Sequence, residues 1–340
     1  MAIPTAPRAG GAEPRDGGGP MRRWTGLIGW VGWLLLAAPG GAQTTAPAQL
    51  RVAVSILPQA YFVERIGGDR VEVQVLIGPG QSPHAYEPTP RQLAALGGVK
   101  VYFTVGVDFE TALVPRLRTM FRDLRFVDTR RDVPLRYFTA AEAAAECHDH
   151  DHDHTHGPEC RHEAPAAPAT QPAGARPDPH FWLNPLYAKT LAATMCAALC
   201  ELDPPGAEAY RRNLAALHAD LDRVHRHLTE ALAPLKGGEI FVFHPAFGYF
   251  TDAYGLKQVP VEIEGKEPTA RQLAALIDRA KAARVRVIFV QPQFAQRAAE
   301  AVAQAIGGAV VPMDDLARDY VRNLEDMAAK IRAAAPRAAP

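Results

Sequence analysis

Apolar positions along the chain fall into short β-branched runs separated by amphipathic stretches. The runs "LRVAVSI" (50–56), "RVEVQVLI" (70–77), "VKVYFTVG" (99–106) and "LRFVDT" (124–129) predict strands buried on both faces. Helix signals lie between them. In "TPRQLAALGG", Thr89 is placed to cap, Pro90 occupies the first helical position and Gly97 ends the run. Strands alternating with helices predict a parallel sheet flanked by helices. From about 139 to 179 the pattern gives way to Ala, Pro, His and Asp, from which no core can be built, so a mobile loop is expected. Regular structure resumes at "DPHFWLNP" (178–185) and a helix follows. Within residues 204–238, close to thirty then read as helix without an internal breaker, a rigid strut of roughly 45 Å. A second round of strands occupies "EIFVFH" (239–244), "KQVPVEIE" (257–264), "VRVIFVQP" (285–292) and "GAVVPM" (308–313).

The two rounds share a segment. "EPTPRQLAAL" (87–96) and "EPTARQLAAL" (267–276) differ at one position and lie 180 residues apart. The expectation is an α/β protein with two similar lobes. Its divisions are an N-terminal extension and signal peptide (1–42), a first lobe (43–203) containing the 139–179 loop, a linking helix (204–238) and a second lobe (239–340).

Length agrees, since 340 residues suggest about two domains. With 48% hydrophobic and 22% charged residues the chain can bury a full core. The 37 basic and 37 acidic residues leave no electrostatic footprint for nucleic acid. "MRRWTGLIGWVGWLLLAAPGGAQ" has the charged start, apolar centre and small-residue exit of a secretory signal. Its apolar run, 24–38, falls short of the ~20 residues that span a bilayer. No cysteine precedes Cys147, so lipid attachment at the cleavage point is not expected. The mature product is expected to be periplasmic, soluble and monomeric, with no membrane insertion.

Histidine changes the picture most. Six of the twelve, His148, His150, His152, His154, His156 and His162, crowd "CHDHDHDHTHGPECRHE" (147–163) between Cys147 and Cys160. Imidazole, carboxylate and thiolate at such density bind metal. In an oxidising compartment the two cysteines can pair, or they can serve as thiolate ligands. Cys196 and Cys200 stand four apart on a helix, where Cβ atoms are about 5–6 Å apart against the ~3.5–4.5 Å of a disulfide, and read as small buried residues. Three other histidines stand where a core does not want them. His84 is in a loop after the second strand, His180 is between prolines, and His244 ends a strand. Asp314 follows the last strand. Ligands gather at the carboxyl ends of strands in open α/β sheets, so these four groups suit a cleft between two lobes.

The motifs "SILPQAYFVERIGGDRVEVQVLIGPGQSPHAYEPTPRQ", "DPHFWLNP", "FVFHPAFGYFTDAYGL", "VEIEGKEPTARQL", "VIFVQPQF" and "MDDLARDY" resemble, in this order, the solute-binding proteins of zinc and manganese ABC transporters (cluster A-I), the zinc-uptake branch in particular. The likeness runs from about residue 50 to the C-terminus. It implies two lobes joined by one long helix and a metal between them, delivered to a membrane permease. It also implies that His84, His180 and His244 are ligands. The family's carboxylate matches Asp314, although Asp315 stands where the family often has proline, and Asp314 is the favoured ligand. Three imidazoles and one carboxylate suit Zn²⁺, whereas manganese prefers more oxygen. Glu87, Glu262 and Glu264 are candidate partners of the imidazoles. The histidine-rich tract then becomes an accessory, weaker zinc site. Manganese transport and a periplasmic zinc metallochaperone are the alternatives. A zinc hydrolase is disfavoured, because the sequence has neither a His-Glu-x-x-His helix motif nor a serine nucleophile elbow.

Overall fold

Strand and helix alternate as the apolar pattern predicts, and they do so twice in the same order. The computed structural model describes residues 49–139, 142, 176–262, 270–294 and 297–335. Among them β1 (Leu50–Val54), β2 (Val71–Val75), β3 (Val101–Thr104) and β4 (Arg125–Asp128) form one four-stranded sheet in the order β2-β1-β3-β4. A second sheet contains β5 (Glu239–Val242), β6 (Lys257–Pro260), β7 (Val287–Val290) and β8 (Ala309–Pro312), in the order β6-β5-β7-β8. All pairings are parallel. Val52 pairs with Val73 and Val101 in the first sheet, and Phe241 with Val259 and Ile288 in the second. Two lobes of one topology are the result.

The strands are shorter than the apolar runs that announced them. Leu76, Ile77, Val105 and Val261 are buried yet lie past the ends of their strands. Past these strand ends the side chains remain in the core, and Leu76, Ile77 and Val261 still bond to the Val54, Ser55 and Val242 carbonyls. The loops that carry the site begin beyond them.

Helices α1 (Leu57–Gly67), α2 (Pro90–Ala95) and α3 (Asp108–Met120) connect the first four strands. In the second lobe α6 (Gly248–Tyr254), α7 (Ala270–Ala282) and α8 (Arg297–Ala305) take the equivalent places. The repeated segment therefore lands on α2 and α7, each leading to the third strand of its lobe. Thr89 caps α2 in a capping box with Gln92, and Pro90 sits in the first turn. The two helices diverge where the repeat ends. Gly97 stops α2 in a 3₁₀ turn, whereas Ile277 carries α7 onward.

Between the lobes run α4 (Pro185–Leu202) and α5 (Ala207–Leu232), and α9 (Tyr320–Ala334) closes the described chain. At 26 residues α5 is about 39 Å long. It is packed rather than free-standing. Tyr210, Leu217, Leu221, Val224, Leu228 and Leu232 form a buried stripe along it. That stripe lies against α1, α4 and α9, with α6 near one end. The predicted strut is thus a spine to which both lobes are fixed. Flanking 3₁₀ turns, Pro204–Gly206 and Ala233–Leu235, account for the rest of the helical stretch.

Cys196 is buried and Cys200 half-buried, and both are free thiols with Sγ atoms 3.9 Å apart. No helix among the described residues is long and apolar enough to cross a membrane. The predicted signal peptide (1–42), the histidine-rich tract with Cys147 and Cys160, and Glu264 lie outside the described residues.

Candidate metal centre

Three histidines from separate elements converge where the lobes meet. His84 lies in the 3₁₀ turn Pro83–Ala85 after β2, where the Ser82 hydroxyl accepts a bond from its backbone N–H. His180 immediately precedes the buried 3₁₀ turn Phe181–Leu183 that leads into α4. His244 stands two residues beyond β5, and the Gln291 side chain amide donates to its carbonyl. One ring nitrogen from each histidine lies within 4.8 Å of the others, and His84 Nε2 is 3.1 Å from His244 Nε2. In a tetrahedral zinc site neighbouring nitrogens are about 3.3 Å apart, given Zn–N near 2.0–2.1 Å.

Each imidazole meets a carboxylate on its other nitrogen. His84 Nδ1 is 3.0 Å from Asp108 Oδ2, His180 Nδ1 is 2.8 Å from Asp178 Oδ1, and His244 Nδ1 is 2.6 Å from Glu262 Oε1. An ionised carboxylate only accepts, so the neutral ring beside it carries its proton on Nδ1. The Nε2 lone pairs are left pointing into the shared space. At 3.1 Å the His84 and His244 Nε2 atoms are placed either to share a proton or to flank a cation. The side chains of His180, His244, Asp178 and Glu262 are all at most 3% exposed, so that cation would be held in a dry, low-dielectric setting.

Glu262, expected as an imidazole partner, occupies that position. Glu87 is exposed. Asp108 and Asp178 were not singled out from the sequence. Asp178 was visible two residues ahead of His180 in "DPH", and Asp108 opens α3 just past the carboxyl end of β3.

The two aspartates after β8 stand in different surroundings. Asp314 turns Oδ1 toward the Gln293 side chain amide and the Leu316 N–H, both at 2.9 Å. It lines a 240 Å³ cavity with Leu57, Ile77 and Gln293. Asp315 instead is 5% exposed, and its Oδ1 is buried without a hydrogen-bond partner among the described residues. Burial pushes its carboxyl up to about 6, with Asp314 adding to the rise and His180 and His84 opposing it. The Asp315 carbonyl accepts from Trp182 Nε1, beside His180. Neither aspartate falls within the 4.8 Å cluster of imidazole nitrogens. Asp315 thus has an electrostatic contact with His180 and His84.

Two histidines of α5 have polar partners away from this cluster. On α5, His218 Nε2 lies 3.2 Å from the Lys189 carbonyl and His225 Nδ1 3.2 Å from the Tyr254 hydroxyl.

A two-lobed parallel α/β chain with imidazoles converging between its lobes has the form of a metal-binding solute receptor. The chain belongs to the ZnuA family, zinc-uptake complex component A, periplasmic, whose model matches residues 52–334. The high-affinity zinc uptake system protein ZnuA of Bacillus subtilis (strain 168) is 29% identical over 299 residues, 84% of this chain and 86% of that protein. The protein of the same name from Brucella abortus (strain 2308) is 28% identical over 297 residues, 80% and 89% of the two chains. Among solved structures, a crystal structure of ZnuA superposes with a TM-score of 0.72 at 35% identity, covering 84% of this chain and 99% of that one. A zinc-bound ZnuA deletion mutant gives 0.70 at 36% identity, covering 86% and 100%.

Proposed function

We propose that the protein captures Zn²⁺ outside the cytoplasm with His84, His180 and His244, each through Nε2, and delivers it to the membrane permease of an ABC transporter. The observation that carries this reading is the carboxylate on every Nδ1, which fixes three tautomers and aims three lone pairs at one point. Asp315 is the fourth ligand in this proposal, in place of Asp314. Its buried oxygen, without a hydrogen-bond partner among the described residues, is suited to a positive partner. Four protein ligands close the coordination sphere, which suits carriage rather than hydrolysis. The names of the ZnuA relatives, high-affinity zinc uptake system proteins, agree with this function. The same reading makes the exported protein a soluble monomer without a lipid anchor, and makes the tract 147–163 an accessory binder of further zinc.

Competition against a chromophoric chelator tests the assignment. Alanine at His84, His180 or His244 should each weaken the tightest zinc-binding event by well over tenfold. Asp315→Asn should weaken it more than Asp314→Asn. Alanine at His218, His225 or His227 on α5 should leave it unchanged, and equal losses from both sets of histidines would overturn the site.

A further inference from the structure

The segments that enter and leave the histidine-rich stretch are joined at their base. The Phe138 N–H donates to the Arg176 carbonyl at 3.1 Å and the Asp178 N–H to the Arg136 carbonyl at 2.9 Å, with Tyr137 and Pro177 bridged antiparallel. Each of these segments supplies an arginine, and each arginine reaches a carboxylate that holds a site histidine. Arg136 Nη1 lies 3.1 Å from Asp178 Oδ2, while the other Asp178 oxygen takes His180. Arg176 Nη2 lies 3.4 Å from Asp108 Oδ1, while the other Asp108 oxygen takes His84.

The Arg136 guanidinium is committed on every edge. Nη2 forks onto both oxygens of Glu142 at 2.7 and 2.9 Å, and Nε donates to Asp252 on α6 at 2.9 Å. Its backbone N–H donates to the Tyr249 hydroxyl at 2.6 Å. Glu142 is only 5% exposed and is held in turn by the Gln258 side chain amide at 2.8 Å. The second lobe leaves room for this group. Gly248 opens α6, and a Cβ there would stand 2.4 Å from Arg136 Cζ. One side chain therefore connects the base of the stretch, the carboxylate of His180 and the helix α6.

We propose that Arg136 is a positioning residue for zinc capture, which holds Asp178, and through it His180, in the geometry that points Nε2 at the metal. Arg176 repeats the arrangement more loosely for Asp108 and His84. On this view the described ends of the stretch tune the tight site, separately from the histidines between them. A planar fork is required, because an ammonium offers one point of charge and cannot span Glu142, Asp178 and Asp252 together.

This inference rests on the zinc site proposed above, and the test keeps the two apart. Full-length mature protein carrying Arg136→Met, Arg136→Lys, Gly248→Ala or His180→Ala is titrated with zinc, and each variant is loaded with Co²⁺ for its visible ligand-field spectrum. Partners behind metal ligands typically carry 10–100-fold in affinity. Arg136→Met should lose roughly tenfold or more and alter the Co²⁺ bands. Lysine should recover only part of that loss. Gly248→Ala, which displaces the guanidinium without removing it, should move affinity and spectrum the same way, and it decides the matter if Arg136→Met does not fold. Unchanged affinity and spectrum in the folded arginine and glycine variants, or complete rescue by lysine, overturns the positioning role while His180→Ala still abolishes tight binding. If His180→Ala itself leaves tight binding intact, the zinc site is wrong and this inference falls with it.

Discussion

A carboxylate behind each imidazole does two jobs at the scale of single residues. It selects the tautomer and it places a negative charge next to a dication's ligand. Not every buried acid in the first lobe has such a role. Glu110 lies under β3, accepting from the Val105 and Gly106 N–H groups and the Ser55 hydroxyl. Burial pushes its carboxyl up to about 7, against which those hydrogen bonds and Arg130 act. A raised carboxyl pKa means that the folded state holds a proton the unfolded state has released. The stabilisation is complete below the unfolded value of 4.5 and is lost as pH climbs through about 7. The amount at stake is about 3 kcal/mol. Metal-free wild type should therefore lose more melting temperature between pH 5 and pH 8 than Glu110→Gln does. Parallel pH profiles for the two would show that Glu110 titrates normally. His84, His180 and His244, which the structure brings together, stood out because polar rings in a loop, between prolines and at the end of an apolar strand have no place in a core. Of their partners, Glu262 was an expected one and the other two were hidden. Asp178 beside proline and Asp108 at a helix start have the local signature of turn and cap residues. The choice between Asp314 and Asp315 depends on how one turn is wound, which adjacent identical side chains do not encode.

Elements were easier to read than their ends. The eight apolar runs became eight strands because β-branched residues buried on both faces have few other uses. Their boundaries slipped because burial and single cross-strand bonds continue past the regular strand, as at Leu76 and Ile77. The long helix was legible in extent but not in role. Periodicity shows that one face is apolar, and only the packing shows that α1, α4 and α9 all use it. Leu221, fully buried near the middle of α5, tests this directly. Leu221→Ala should cost about 3 kcal/mol in denaturant unfolding of the metal-free protein, the middle of the range for core leucines. A loss below about 1 kcal/mol would be that of an exposed strut.

In the whole molecule the tight site and the histidine-rich tract differ in what must be ordered at the moment of binding. The proposed cleft ligands hang from strand ends and turns whose partners are already in place: Asp108, Asp178 and Glu262 behind the rings, Gln291 on the His244 carbonyl, and Trp182 on the chain at Asp315. Little conformational entropy remains to be lost there. A tract of alternating His and Asp has no such framework in its sequence, and fixing each ligand residue costs about 1–2 kcal/mol of backbone entropy. Mature wild-type protein should accordingly bind one zinc tightly and further zinc weakly. Deleting residues 147–163 should remove only the weak class, provided that Arg136, Glu142 and Arg176 are kept. Thermal stability should divide the same way, because a ligand stabilises the native state by RT ln(1 + [L]/Kd) and the tightest site dominates at low metal. One equivalent of zinc should raise the melting temperature of the deleted protein nearly as far as that of the wild type. Should the deletion abolish both the tight event and the melting shift, the tract and not the cleft would be the working site.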